Sequence, residues 1–62
     1  MEKEEFIAKF NENFGSYIYV DRVVLENFYD NYQVKWVRDY EAILDLARDY
    51  VLSQGLAEEV IE

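Results

Sequence analysis

The chain has 62 residues, and its 14 acidic side chains outnumber 6 basic ones, which gives a formal net charge of −8. It contains no His, Cys or Pro, so disulfides are excluded and the soft ligands of a tetrahedral zinc site are absent. We predict one domain over residues 1–62, because the 52% hydrophobic content is too high for a disordered acidic tail.

The N-terminal segment predicts a helix over about residues 2–14. Glutamates fill its first turn, where carboxylates favour the positive end of the helix dipole. Phe6, Phe10 and Phe14 recur every fourth residue and form one apolar stripe. Gly15 ends the helix, and we expect it to adopt the left-handed conformation that glycine takes without steric cost.

Residues 16–20 leave two alternatives open. Their aromatic and β-branched side chains favour a strand, although so short a segment also suits an extended connector. If it is a strand, residues 33–37 are its predicted partner and the fold becomes α+β. Asp21 then suits the N-cap of the next helix.

Two further helices are predicted over about residues 21–33 and 36–54. In the third, an apolar face begins at Trp36, continues through Tyr40 and ends before Gly55. No Gly or Pro interrupts these two helices, so they could merge into one, with the likeliest break near residues 30–34. Residues 56–62 are expected to form a frayed acidic tail.

The predicted fold is therefore a small all-α domain of three helices, which we expect to form a homodimer through exposed aromatic side chains. Tyr and Trp are enriched in interface hot spots because they combine a large ring with a polar group. The candidates are Tyr17, Tyr19, Tyr29, Trp36 and Tyr40. The alternative is partial burial of these rings at the edge of the core.

Carboxylates recur every fourth residue on both later helices. Glu41, Asp45 and Asp49 form one row, and Glu26 and Asp30 form another. A helix rises about 6 Å over four residues, whereas one DNA strand carries a charge about every 3.4 Å. One row thus carries charges less densely than a nucleic-acid strand does. A dimer would double the number of rows. The alternative is an ordinary solvated face that maintains solubility.

The composition also excludes several classes of function. No His or Cys is available as a base or nucleophile, so we expect no enzymatic activity, no catalytic residues and no cofactor. The acids do not follow the EF-hand pattern, and no metal site is expected. Negative charge disfavours direct contact with nucleic acid or an anionic membrane. No secretory leader or membrane span is apparent, so a cytoplasmic location is expected, within the host cell if the protein is phage-encoded.

The stretch Asp45-Leu46-Ala47-Arg48-Asp49-Tyr50-Val51, followed by Gly55, resembles a short helix in the ArdA antirestriction family. Members of that family are acidic mimics of DNA that occupy restriction enzymes. The resemblance covers residues 45–55, and this chain is much shorter than those proteins. It implies that Asp45 and Asp49 belong to a mimic surface. Small acidic chains are also familiar among phage inhibitors of bacterial defence. This analogy concerns the general class of protein and rests on no shared motif.

These observations lead to one principal hypothesis for function. The protein is expected to be a non-enzymatic inhibitor of the antirestriction or anti-CRISPR-like type. Its acidic face would cover a basic, nucleic-acid-binding surface of a protein target. The alternative is a structural or regulatory interaction module, in which the aromatic side chains bind the partner and the acids serve only solubility.

Overall fold

The structure, a computed structural model, describes residues 1–60 of the chain. Its helices are α1 (Lys3–Phe14), α2 (Arg22–Asn31) and α3 (Tyr40–Ser53). The shorter elements are β1 (Ile18–Val20), a 3₁₀ helix (Val34–Trp36) and β2 (Ala57–Glu59). The prediction of a small domain with three helices is confirmed, and a two-stranded antiparallel sheet accompanies them.

Phenylalanine rings of α1 and α2 form the centre of the core. Phe6, Phe10 and Phe28 are almost completely buried, and the rings of Phe6 and Phe28 stack with their centroids 5.8 Å apart. The predicted apolar stripe of α1 is confirmed, because Phe14 is buried with the other two rings. The other elements complete the core with Ile18, Val20, Val34, Ile43, Leu44, Ala47 and Val51.

Two ion pairs hold α2 across the N-terminal end of α1. Lys3 Nζ lies 3.2 Å from Asp30 Oδ1, and the Arg22 guanidinium contacts the Glu4 carboxylate. Because the adjacent residues Lys3 and Glu4 reach opposite ends of α2, this helix crosses α1 rather than running beside it. Each exposed pair contributes at most about 1 kcal/mol, so the aromatic core provides most of the stability of this contact.

The second and third helices are separate, and α3 begins later than predicted. Gln33 has a positive φ of 51°, which interrupts the helical path after α2. Asp39 then caps α3, because its side chain accepts a hydrogen bond from the Ala42 N–H at 3.1 Å. The break near residues 30–34 is confirmed. The predicted start at residue 36 is wrong, because the cap at Asp39 overrides the apolar spacing that extends back to Trp36.

Gly15 ends α1 in a different way from the predicted one. Its φ of −67° is right-handed, so the predicted left-handed conformation is wrong. A Cβ at this position would overlap the carbonyl oxygen of Asn11. Glycine is therefore required for its close approach to the carbonyl of Asn11, in the last turn of the same helix, rather than for a positive φ.

Gly55 supplies the left-handed residue at the end of α3, with a φ of 69°. Its N–H donates to the Leu52 carbonyl at 3.3 Å, and the Leu56 N–H donates to the Val51 carbonyl at 2.8 Å. This pair of bonds is the Schellman arrangement. The turn reverses the chain, so the residues that follow α3 return towards β1.

β2 pairs with β1 in antiparallel register, with Tyr19 opposite Glu58. Beyond the ladder, the Val60 N–H donates to the Tyr17 carbonyl at 2.9 Å. Ile18 and Val20 are buried whereas Tyr19 is exposed, so β1 turns one face to the core and the other to solvent. The strand thus has the alternation of a half-buried sheet.

This pairing corrects two predictions. The partner of β1 is residues 57–59, and the predicted alternative, residues 33–37, forms the 3₁₀ helix and its flanks. The frayed tail predicted for residues 56–62 is wrong for 57–59, because backbone hydrogen bonds hold them to β1. Residues 61 and 62 of that predicted tail lie outside the described residues.

Replacing Gly55 by Ala tests how far the domain depends on this turn. An ordinary residue with a left-handed φ costs about 1–2 kcal/mol. No neighbouring atom lies within 4 Å of the added Cβ, so we expect a loss of unfolding free energy of that size from backbone strain alone. Urea denaturation measures it. Gly55→Asn should lose less, since Asn tolerates this conformation; equal losses in both variants would contradict the explanation.

Candidate functional site

Each carboxylate of the acidic row of α2 has a cation within 4.0 Å. Glu26 Oε2 lies 3.6 Å from Arg22 Nε, and the same guanidinium also contacts Glu4. Asp30 lies 3.2 Å from Lys3 Nζ. Asp30 thus pairs with a cation of α1, whereas the cation beside Glu26 lies on the same helix. Both carboxylates are therefore poor candidates for the partner-binding role predicted for Glu26 and Asp30, because a partner would have to displace their present cations.

The acidic row of α3 lies in a different electrostatic environment. Glu41, Asp45 and Asp49 are all exposed, and Asp49 has one contact at 3.4 Å with its neighbour Arg48. Among residues 1–60, no Lys or Arg nitrogen lies within 4.0 Å of a Glu41 or Asp45 oxygen. Of the two predicted rows, the carboxylates without a cation within 4.0 Å are thus Glu41 and Asp45, near the start of α3.

A surface concavity of about 260 Å³ borders this row where the C-terminal end of α1 meets α3. It is lined by Asn13, Phe14, Glu41, Leu44 and Asp45. Asn13 Nδ2 donates to the Lys9 carbonyl at 2.7 Å, which leaves the Asn13 side-chain oxygen available as an acceptor. Apolar surface beside two carboxylates and an amide oxygen matches the chemistry of a long cationic side chain, whose stem is apolar and whose head is charged.

The ring of Phe14 already has a guanidinium next to it. The Arg48 Cζ atom lies 5.4 Å from the centroid of the Phe14 ring, within the range of a cation–π contact. Asp49 contacts the same Arg48 side chain. The chain's own arginine therefore shows, beside the concavity, the combination of aromatic and carboxylate contacts that a partner's arginine would use.

Tyr29 is buried in the core of the chain. Only 7% of the residue is exposed, and its hydroxyl donates to the Met1 carbonyl. Its ring packs against Phe6 with the centroids 6.0 Å apart. The predicted interface role of Tyr29 is wrong, because this position completes the face of α2 that covers α1.

The other four aromatic candidates are exposed but do not form one continuous group. Tyr17 and Tyr19 follow the C-terminal end of α1. Trp36 lies near its N-terminal end, since the carbonyl of the preceding residue accepts the Met1 amino group at 3.1 Å. The 12 residues of α1 span about 18 Å. Tyr40 is the first residue of α3, so it is close along the chain to Trp36 and to the acidic row.

The exposed face of the sheet combines apolar and acidic side chains. Leu56 and Val60 are exposed there beside Tyr17 and Tyr19, and Glu58 lies opposite Tyr19. The sequence pattern did not indicate Leu56 or Val60, because a frayed tail was expected. Strand alternation would have revealed them only if the partner of β1 had been known.

A basic segment beside Trp36 was also missed. Lys35 Nζ lies 5.5 Å from the centroid of the Trp36 ring, and Arg38 is exposed. In the part of the chain that the structure describes, no carboxylate oxygen lies within 4.0 Å of the charged nitrogens of Lys35 or Arg38. The residues were visible in the sequence, but the predicted binding surfaces used only acidic and aromatic side chains.

Two further observations concern residues 1–60. No group of three or more His, Cys, Asp or Glu side chains there is placed to hold a metal ion. None of the helices there combines the length and the hydrophobicity needed to cross a bilayer.

Comparison of the chain with protein-family models, with curated protein sequences and with solved structures found no match. The resemblance of residues 45–55 to the ArdA family therefore remains a prediction. Asp45 and Asp49, which it would assign to a mimic surface, are both exposed on α3.

Tyr29 makes the free energy of unfolding decrease at alkaline pH. Burial, with the charge of Glu2 as the next contribution, raises the pKa of Tyr29 above its usual value. The folded state thus favours the neutral phenol. The resulting stability is complete below the unfolded-state pKa of about 10, and it is lost as the pH rises through the higher folded-state pKa.

We therefore expect the free energy of unfolding to fall above about pH 10, and Tyr29→Phe to reduce that dependence. The variant also loses a hydrogen bond, which should make it less stable than the wild type at neutral pH. Urea denaturation at a series of pH values measures both effects. Tyr19→Phe, at an exposed position, is the control and should follow the wild type. An unchanged pH dependence in Tyr29→Phe would refute the assignment.

Proposed function

We propose that the protein is a non-enzymatic inhibitor that binds a protein target through the acidic row Glu41, Asp45 and Asp49. The row would cover a basic, nucleic-acid-binding surface of that target. One observation carries the proposal: the acids of α2 are paired within the chain, whereas Glu41 and Asp45 have no cation within 4.0 Å among residues 1–60. Like charges four residues apart on a helix repel each other, and a cationic partner surface would relieve that repulsion.

The net charge of the chain supports a basic partner over an acidic or neutral one. A formal charge of −8 on so small a protein attracts basic surfaces over distances comparable to the Debye length, about 8 Å at physiological ionic strength. This attraction raises the rate of encounter with a basic target. Specificity then depends on the side chains that make contact.

The spacing of the row supports contact with separate cationic side chains rather than imitation of a continuous duplex. The α3 carboxylates recur about every 6 Å along the helix axis, compared with about 3.4 Å for the charges of one DNA strand. The concavity adds a pocket beside Glu41 and Asp45, and Asn13 and Phe14 also line it. An arginine of the target would place its guanidinium between the carboxylates and its stem on the apolar wall.

The biological setting that fits this chemistry is inhibition of a defence enzyme that handles nucleic acid. The resemblance of residues 45–55 to the ArdA family agrees in kind, since it assigns Asp45 and Asp49 to a surface that imitates DNA. A phage-type antirestriction or anti-CRISPR-like role, exercised in the cytoplasm of the host cell, is part of the same proposal. It requires no cofactor and no catalytic residue.

Two matched double variants test the acidic row. Glu41→Gln with Asp45→Asn removes two charges from α3, and Glu26→Gln with Asp30→Asn removes the same formal charge from α2. Binding of an arginine-rich peptide, measured by calorimetry at several salt concentrations, is the readout. We expect the α3 variant to lose affinity by about tenfold or more and the α2 variant by less than about threefold, with wild-type affinity falling steeply as salt increases.

A pull-down from the native host applies the same variants to the natural target. The true target should be retained by the wild type and by the α2 variant and lost by the α3 variant. Equal losses with both variants would mean that net charge alone governs binding, which would overturn the proposal.

The alternative function predicts the opposite pattern. Trp36 is 75% exposed, as expected of a side chain that binds a partner directly. If affinity for the captured target is insensitive to salt and is abolished by Trp36→Ala or Tyr40→Ala, the protein is an interaction module whose acids serve only solubility.

A further inference from the structure

We propose that the protein also binds a second copy of itself, through a two-fold symmetric contact. In this contact the basic segment (residues 35–38) of each copy lies against Glu41 and Asp45 of the other. The inference goes beyond the proposed function, which requires only the acidic row and a foreign target. It specifies the surface through which the expected homodimer would form.

The basic segment carries the exposed ring of Trp36, with Lys35 before it and Arg38 after it in the sequence. Trp36 is 75% exposed, and the ammonium of Lys35 lies 5.5 Å from the centroid of its ring. Arg38 is exposed two residues later. Lys35 and Arg38 have no carboxylate within 4.0 Å among residues 1–60, so a carboxylate surface is their natural partner.

Such a carboxylate surface begins immediately after the basic segment. Asp39 is engaged as the N-cap of α3, so its side chain is directed to the Ala42 N–H. Glu41 and Asp45 follow on the exposed side of the same helix, beside the concavity. Along the chain, the charge of the exposed side chains therefore changes from positive to negative within a few residues, at the start of α3.

A surface with adjacent positive and negative halves is complementary to itself. Rotation of one copy by 180° about an axis near the boundary places each positive half over the other copy's negative half. This is the geometry of an isologous dimer, in which every contact occurs twice. Each copy would contribute a cationic side chain to the concavity of the other, and Trp36 would cover the edge of that concavity.

The net charge of each copy opposes this contact at long range. The Debye length is about 8 Å at physiological ionic strength and about 30 Å at 0.01 M, so salt screens the distant charges more than the pairs in direct contact. We therefore expect self-association to be weak at low ionic strength and stronger at physiological ionic strength. The affinity for a basic target should instead decrease as the ionic strength increases.

Self-association and target binding would use the same carboxylates. Glu41 and Asp45 cannot contact the basic segment of a second copy and a target's arginine at the same time. The dimer would thus be the form present at high concentration without a target, and a basic target would convert it to monomers. The arginine-rich peptide should accordingly dissociate the dimer.

A charge swap tests the contact. One variant carries Lys35→Glu and Arg38→Glu, and the other carries Glu41→Lys and Asp45→Lys. Sedimentation velocity at high micromolar concentration and physiological ionic strength should show a dimer for the wild type and a monomer for each variant alone. An equimolar mixture of the variants should form a heterodimer, because both contacts are then restored. Both variants keep a negative net charge, so long-range attraction does not explain their association.

The control carries Glu58→Lys and Glu59→Lys on the sheet, which changes the charge as much as the α3 swap does. It should self-associate like the wild type. Circular dichroism verifies that every variant folds. A monomeric wild type, or a mixture of swapped variants that stays monomeric, would overturn the inference. Dimer formation by the variant with Lys35→Glu and Arg38→Glu would also overturn the inference.

The two proposals can fail separately. The variant with Lys35→Glu and Arg38→Glu retains the acidic row, so it should still bind the arginine-rich peptide. Peptide binding without self-association would refute the dimer alone. Self-association and heterodimer formation without peptide binding would refute the proposed function alone.

Discussion

The stacking of Phe6 on Phe28 is the contact on which the rest of the structure depends. It joins α1 to α2, and Phe28 extends the aromatic cluster to Tyr50 of α3, with ring centroids 5.4 Å apart. A domain of about 60 residues buries only about 60% of the surface of its unfolded chain. Without disulfides, large rings that bury much area per residue provide the stability that such a small core requires.

This core also determines which charges remain available on the surface. Crossing α2 over the N-terminal end of α1 brings Lys3 to Asp30 and Arg22 to Glu4, so two of the few cations are used there. α3 turns its apolar face to the core, and its exposed carboxylates Glu41 and Asp45 have no cation within 4.0 Å among residues 1–60. The proposed binding surface is therefore a consequence of how the aromatic core orients the helices.

Local patterns predicted the elements that depend on neighbouring residues. The spacing of Phe6, Phe10 and Phe14 indicated α1 and its buried face, because helical periodicity is a property of a short segment. Gly55 indicated the end of α3 for the same reason. Trp36 was misplaced because the apolar spacing of α3 continues back through it, while the cap at Asp39 depends on one hydrogen bond. β2 was missed because Ala-Glu-Glu has low strand propensity and pairs only with a distant segment.

By itself, the sequence determined that the chain forms amphipathic helices, that it carries excess negative charge, and that its chemistry lacks His and Cys. These properties follow from composition and from spacing within single segments. Only the tertiary structure decided which acids are neutralised, that Tyr29 is buried while Trp36 is exposed, and that a basic segment adjoins the acidic row. The physical reason is distance along the chain. The ion pair between Lys3 and Asp30 joins residues 27 positions apart, and no local pattern encodes such a contact.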